Sequence, residues 1–145
     1  MRKMLSIDPG VNGGLAWTDA DGIIQCAPMP DGMSAVADFI RQLRQDLTSV
    51  DCVMEKTGTY MSGNSGPSAA TFARHCGTIE AILYCYGIPT VQVAPQKWQK
   101  PMCLPKDKAE RKRKIKEEMA RRHPHLSVTL KTADALAILG YGLSQ

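Results

Sequence analysis

Short apolar runs broken by turn residues fill the first third of the chain, and runs of helical period dominate the rest. Residues 4–7 predict a first strand and 14–18 a second, separated by Asp8, Pro9, Gly10 and the glycine pair Gly13 and Gly14. The turn signal "DADG" leads into a third strand over 23–26, completing an antiparallel meander. Val36, Phe39, Ile40 and Leu43 recur at helical spacing and predict a helix over 33–47, with Ser34 suited to its N-cap. The run "VDCVMEK" predicts a fourth strand ending at Glu55, followed by the Gly- and Ser-rich loop "KTGTYMSGNSGPS". Phe72, Cys76, Ile79, Leu83 and Tyr86 line one face of a helix over 68–86, which Gly87 caps. A fifth strand over 88–93 leads into the Pro-punctuated "APQKWQKPMCLPK". Residues 106–122 read as a helix with few apolar positions (Ala109, Ile115, Met119), and Pro124 ends it. Leu136, Ala137 and Leu139 belong to a last helix over 130–143, for which Thr132 is a candidate N-cap. A meander of three strands joined to strand–helix–strand units predicts an α/β fold: a mixed five-stranded sheet, with a three-stranded antiparallel meander plus two parallel strands, flanked by helices.

A length of 145 residues favours one domain over 1–145 with one adequate core. With 43% hydrophobic and 22% charged residues the composition is that of a soluble globular protein. No apolar run approaches a membrane span, and residues 1–7 do not read as a signal peptide, so a cytoplasmic protein without a membrane partner is expected. The five cysteines form no CxxC pair, which argues against a zinc knuckle or a disulfide framework. Cys52, Cys76 and Cys85 lie in apolar contexts and read as reduced core thiols. His75, His123 and His125 follow no ligand spacing and read as surface or capping residues.

The net charge of +4 hides an asymmetry. Residues 97–122 hold 11 of the 18 basic residues and only four acids. A basic segment on a mildly acidic body fits a polyanionic partner, most simply nucleic acid; a solvated, charge-rich helix is the competing reading. Lys97, Lys100, Lys106, Lys108, Arg111, Lys112, Arg113 and Lys114 are the candidate phosphate contacts. Trp98, lying among them, fits either core packing or cover for a nucleic-acid backbone.

Three acids stand where acids are costly or informative. Asp8 ends the first strand, Glu55 ends the fourth, and Asp134 lies near the start of the last helix in "KTADALAIL". Each has an ordinary explanation: Asp8 a turn, Asp134 an acid complementing the helix dipole. Together they can converge if the first and fourth strands are neighbours and the last helix crosses their ends. Hard divalent ions take such oxygen ligands, and two ions about 4 Å apart suffice to cleave a phosphodiester without a protein nucleophile.

The stretches "SIDPGVNGGLAW", "CVMEK" and "TADALAIL", in this order, resemble the RuvC-type Holliday junction resolvases of the RNase H-like superfamily. "APQKWQK" and the basic helix look like the phage and prophage branch of that group. The resemblance implies an RNase H-like fold and a homodimeric, Mg²⁺- or Mn²⁺-dependent crossover junction endonuclease. Such an enzyme resolves four-way DNA junctions by paired phosphodiester nicks. It implies Asp8, Glu55 and Asp134 as catalytic metal ligands. It implies that an aromatic residue in the loop after Glu55 wedges open the junction, for which Tyr60 is the candidate; Met61 next to it and Lys56 at the start of the loop are further DNA-binding candidates. The family places a fourth ligand three or four residues before the last-helix Asp; here those positions hold Lys131 and Leu130. Lys131 is therefore a catalytic candidate of another kind: it weakens a second metal site, stabilises developing phosphorane charge, or turns to solvent.

Three other classes compete. A junction- or branch-binding protein with lost or reduced cleavage is favoured by Lys131. A related RNase H-like nuclease acting on another structured nucleic acid shares all the motifs. An ATP-binding module of the actin or sugar-kinase type needs a second phosphate loop that this chain lacks.

Overall fold

A computed structural model describes residues 2–57 and 66–145. The strands are β1 (Met4–Asp8), β2 (Gly14–Thr18), β3 (Ile24–Pro28), β4 (Asp51–Glu55) and β5 (Thr90–Val93). They form one sheet in the order β3-β2-β1-β4-β5. β1 pairs antiparallel with β2 and parallel with β4, and β4 pairs parallel with β5. The mixed five-stranded sheet expected from the sequence is the one observed.

The helices are α1 (Met33–Asp46), α2 (Gly66–Cys85), α3 (Pro95–Gln99), α4 (Lys108–Arg122) and α5 (Leu130–Leu143). Strand alternation divides the core in two. Leu5, Ile7, Cys52 and Met54 join one buried cluster with Val36, Ile40 and Leu43 of α1 and Ile79 and Leu83 of α2. Each such apolar side chain contributes roughly 1.5–3 kcal/mol by leaving water. Met4, Ala16 and Val53 point the other way, into a cluster with Ile115 and Met119 of α4 and Leu136, Ile138 and Leu139 of α5.

Several boundaries depart from the sequence reading, each for a local reason. The N-cap of α1 is Gly32, at φ 84°, not Ser34. Thr129 caps α5; Thr132 is its reciprocal partner three residues on, closing a capping box. Asp107 caps α4 by accepting from the Glu110 N–H at 3.0 Å, so that helix starts at Lys108. Within "APQKWQK" the chain makes the short helix α3, with Pro95 in its first turn where a missing N–H costs nothing. Cys85 is exposed and His75 buried, the reverse of their sequence assignments. Tyr60 and Met61 lie outside the described residues.

Small residues let α5 lie close against the sheet. Ser6, on the inner face of β1, donates its hydroxyl hydrogen to the carbonyl of Ala135 at 2.5 Å. A Cβ on Gly14 would come within 2.2 Å of the Lys131 carbonyl oxygen. Gly10 turns the chain after β1 at φ 111°, a conformation that disfavours any side chain. No described helix is long and apolar enough to cross a membrane.

Gly14→Ala is expected to force α5 off the sheet and lower stability by about 1–3 kcal/mol. Gly140→Ala, on the same helix with open space around it, is expected to raise stability by up to about 1 kcal/mol. Urea unfolding of the two variants checks this; equal effects would mean that β2 and α5 are not in tight contact.

Candidate active site

β1 and β4 run side by side with Ile7 opposite Met54, so the next residue of each strand is an acid at the same sheet end. Asp8 and Glu55 therefore emerge as neighbours. Asp134, one turn into α5, reaches the same place. All three line one cleft of about 360 Å³, whose walls include Pro9, Asn12, Pro95, Gln99 and Ile115. Lys108, Arg111 and Lys112 of α4 complete it.

Burial and mutual repulsion set the electrostatics. Asp8 is pushed up to about 8, first by burial, then by the charges of Asp134 and Glu55, against the lowering effect of Lys112. Burial also raises Glu55 and Asp134 above the usual carboxylate range. The Trp98 hydrogen bond and Lys112 oppose that rise at Glu55, and Lys112 and Arg111 oppose it at Asp134. The Trp98 indole Nε1–H donates to Glu55 Oε2 at 2.8 Å.

Among the described residues, no three acidic, His or Cys side chains are drawn tightly enough together to hold a metal ion as they stand. The chemistry of the donors nevertheless suits a hard divalent cation: three carboxylates share a cleft, and burial first, then mutual repulsion, raises the cost of ionising them without a counter-charge. Asp8, Glu55 and Asp134 are the residues that would hold it.

The other candidates from the sequence divide by helix face. On α4, positions 108, 111, 112 and 115 share the side facing the cleft. Arg113 turns away, 3.9 Å from Glu117, and Lys114 donates to the Cys103 carbonyl at 3.3 Å. Lys97 lines a different groove, with Arg2, Asp51 and Tyr141. Lys100 and Lys106 are exposed, as is Lys56 directly after Glu55. Lys131 is not gathered with the acids. It sits exposed in the first turn of α5, in a groove with Cys26, Pro28, Lys116 and Ser127. Three residues of helix carry it about 60° around from Asp134 as well as one turn back, and the approach of its backbone to Gly14 fixes that turn beside β2.

Sequence reasoning missed Asn12 and Gln99 on the cleft wall and the role of Trp98. The signal for Trp98 was available: an indole N–H carried into a core needs an acceptor, and acids were the nearby candidates.

The sheet order and its covering helices define the RNase H-like fold, with acids at the ends of the two central strands. Among solved structures the chain is similar to RuvC. A Thermus thermophilus RuvC described as in complex with a Holliday junction substrate aligns at a TM-score of 0.64 and 15% identity, over 95% of this chain and 90% of that one. A second Thermus thermophilus RuvC structure aligns at 0.60 and 13% identity, over 94% and 90%. No family model and no curated protein matches the sequence. The chain therefore has the RuvC fold.

The proton on Asp8 has a consequence for stability. Folded Asp8 keeps its proton up to about pH 8, whereas an unfolded Asp loses it near 3.8. Between those values the folded chain binds more protons, so its stability falls as pH rises. Asp8→Asn, which cannot ionise, escapes this loss. Without divalent ions, the stability gap in favour of the variant is expected to widen by at least about 2 kcal/mol between about pH 5 and about pH 9. Urea unfolding across that range measures it, and a constant gap would refute the raised proton affinity of Asp8.

Proposed function

We propose that this protein is a divalent-metal-dependent endonuclease that nicks four-way DNA junctions as a homodimer. The observation that carries the reading is the convergence of Asp8, Glu55 and Asp134 in one cleft walled by basic side chains of α4. The RuvC fold, one of whose solved examples is described with a Holliday junction substrate, supports the choice of DNA.

The work divides between the two walls of the cleft. Lys108, Arg111 and Lys112 draw a phosphodiester in and hold it against the acids. Asp8, Glu55 and Asp134 bind Mg²⁺ or Mn²⁺, which when bound supplies an activated water and charge stabilisation at the leaving oxygen. Partial burial of the acids limits the screening of their attraction for a cation by bulk water, whereas Lys108 and Lys112 are exposed to it. Homodimerisation supplies the second cleft that paired nicking needs. The exposed apolar side of α2, with Ala70, Ala73, Ala81 and Tyr84, is available for it.

A second reading, junction binding without cleavage, is favoured by one observation: the acids are not drawn into a finished cage. Incubating the protein with a four-way junction, a linear duplex and an RNA–DNA hybrid, with and without Mg²⁺ or Mn²⁺, separates the two. Metal-dependent cutting of the junction is expected. Asp8→Asn, Glu55→Gln and Asp134→Asn should each cut at least about 100-fold more slowly while binding the junction at least as tightly. Binding by the wild type with no cutting at either metal selects the second reading, and cutting of the hybrid alone selects a different substrate.

The basic wall has its own test. Each side chain that neutralises a DNA phosphate adds about 0.9 to the steepness of log affinity against log salt, and its removal flattens the slope by that amount. Neutralising Lys108, Arg111 and Lys112 together is expected to flatten it far more than neutralising Arg113 alone. Equal slopes for the two variants would remove α4 from the interface.

A further inference from the structure

We infer that Trp98 is a positioning residue for the metal site, holding Glu55 through one carboxylate oxygen so that the other faces the cleft. The inference rests on the reading of Glu55 as a metal ligand.

The geometry is specific. Trp98 is buried to 2% exposure, in one cluster with Val93, Ile115, Met119 and Leu136. Its ring is therefore fixed by packing on all sides. An indole N–H is a donor only, so the residue cannot itself ligate a cation. That N–H points out of the cluster to Glu55 Oε2 at 2.8 Å. Trp98 thus joins a dry core to one atom of the polar cleft.

The backbone around it reinforces the arrangement. Glu55 is in register with Val93 of β5, and the Lys56 N–H bonds the Val93 carbonyl at 2.8 Å. Pro95 then starts α3 with only Ala94 between it and the strand, and Trp98 comes round to meet the side chain of the residue paired with β5. Glu55 is held by its strand pairing and by its carboxylate together. Among the described residues neither Asp8 nor Asp134 has a comparable side-chain hydrogen bond.

This asymmetry assigns roles. Glu55 presents Oε1 at a fixed point, with Oε2 committed to the indole. Asp8 and Asp134 are free to turn in toward a cation once it arrives. A donor on the outer oxygen of a ligating carboxylate orients it and limits it to binding through one atom, and removing such a donor commonly weakens metal binding roughly 10–100-fold. The same cluster carries Ile115, which lies on the cleft-facing side of the basic helix. One packed unit therefore sets both the acid and the phosphate-binding wall.

Calorimetric titration of the full chain with Mn²⁺ tests the inference. Trp98→Phe keeps an aromatic ring and removes the N–H; its Mn²⁺ affinity is expected to fall at least about tenfold. A second measurement uses the unaltered chain, in case the variant fails to fold. The Trp98 indole N–H resonance, distinguished from that of Trp17 with Trp17→Phe, is expected to move saturably on Mg²⁺ titration and to stay still in Asp8→Asn. If wild type binds Mn²⁺ and Asp8→Asn does not, while folded Trp98→Phe binds within about twofold of wild type, Trp98 has no positioning role and the metal site stands. An indole resonance indifferent to saturating Mg²⁺ likewise overturns the role of Trp98. If wild type binds no divalent ion, the metal site and the role of Trp98 fall together.

Discussion

Strands β1 and β4 lie parallel with Ile7 opposite Met54, so Asp8 and Glu55 leave the sheet side by side. Neither acid would choose that neighbour. The pairing is imposed by the apolar residues behind them: Leu5, Ile7, Cys52 and Met54 are buried, and so are Met4 and Val53 on the other face. A shift of one residue in this register would send every one of these side chains to the wrong layer. The cohesion of the core thus holds two acids at close quarters in a partly buried cleft, and the raised proton affinity of Asp8 follows first from that burial, then from the charges of Asp134 and Glu55. Placing repelling carboxylates on two buried strands makes a site that gains from the arrival of positive charge.

The third acid depends on a different constraint. Asp134 reaches the cleft because α5 can approach the sheet through Ser6, Gly14, Ala133 and Ala135, where larger side chains would hold it away. That helix is buried on most sides, and α4 packs over it. The basic side chains of α4 consequently reach the cleft as a by-product of Ile115 and Met119 seeking cover. The placement of charge in the site follows from where apolar residues go.

This explains which features could be read from the sequence. Asp8 and Glu55 stood out because each ends a run of apolar residues, and the meander followed by strand–helix–strand units leaves few ways to arrange five strands. Asp134 was legible as the one acid on a mostly apolar helix. What stayed hidden depends on tertiary rotation. Nothing local says that Lys108, Arg111 and Lys112 face the acids while Arg113 and Lys114 do not; that is decided by which side of α4 the core claims. Lys131 is spaced to share a face with Asp134, yet the contact of its backbone with β2 assigns it to another groove. Cys85 and His75 exchanged their expected places because α2 is apolar around much of its circumference, so periodicity marks its buried side weakly.

Under the proposed function, the charges in the cleft impose an order of events. Three acids face three bases, so the cleft is formally balanced when all are ionised. With Asp8 protonated it carries a net positive charge, which favours an incoming phosphodiester. The phosphate then occupies the basic wall and withdraws the compensation that Lys112 and Arg111 give the acids. The carboxylates are left with more uncompensated negative charge than before, and a divalent cation gains affinity for them. By linkage the cation must favour the phosphate equally. DNA and metal therefore each prepare the cleft for the other, and an ion bound without DNA must compete with the lysine and arginine already beside the acids.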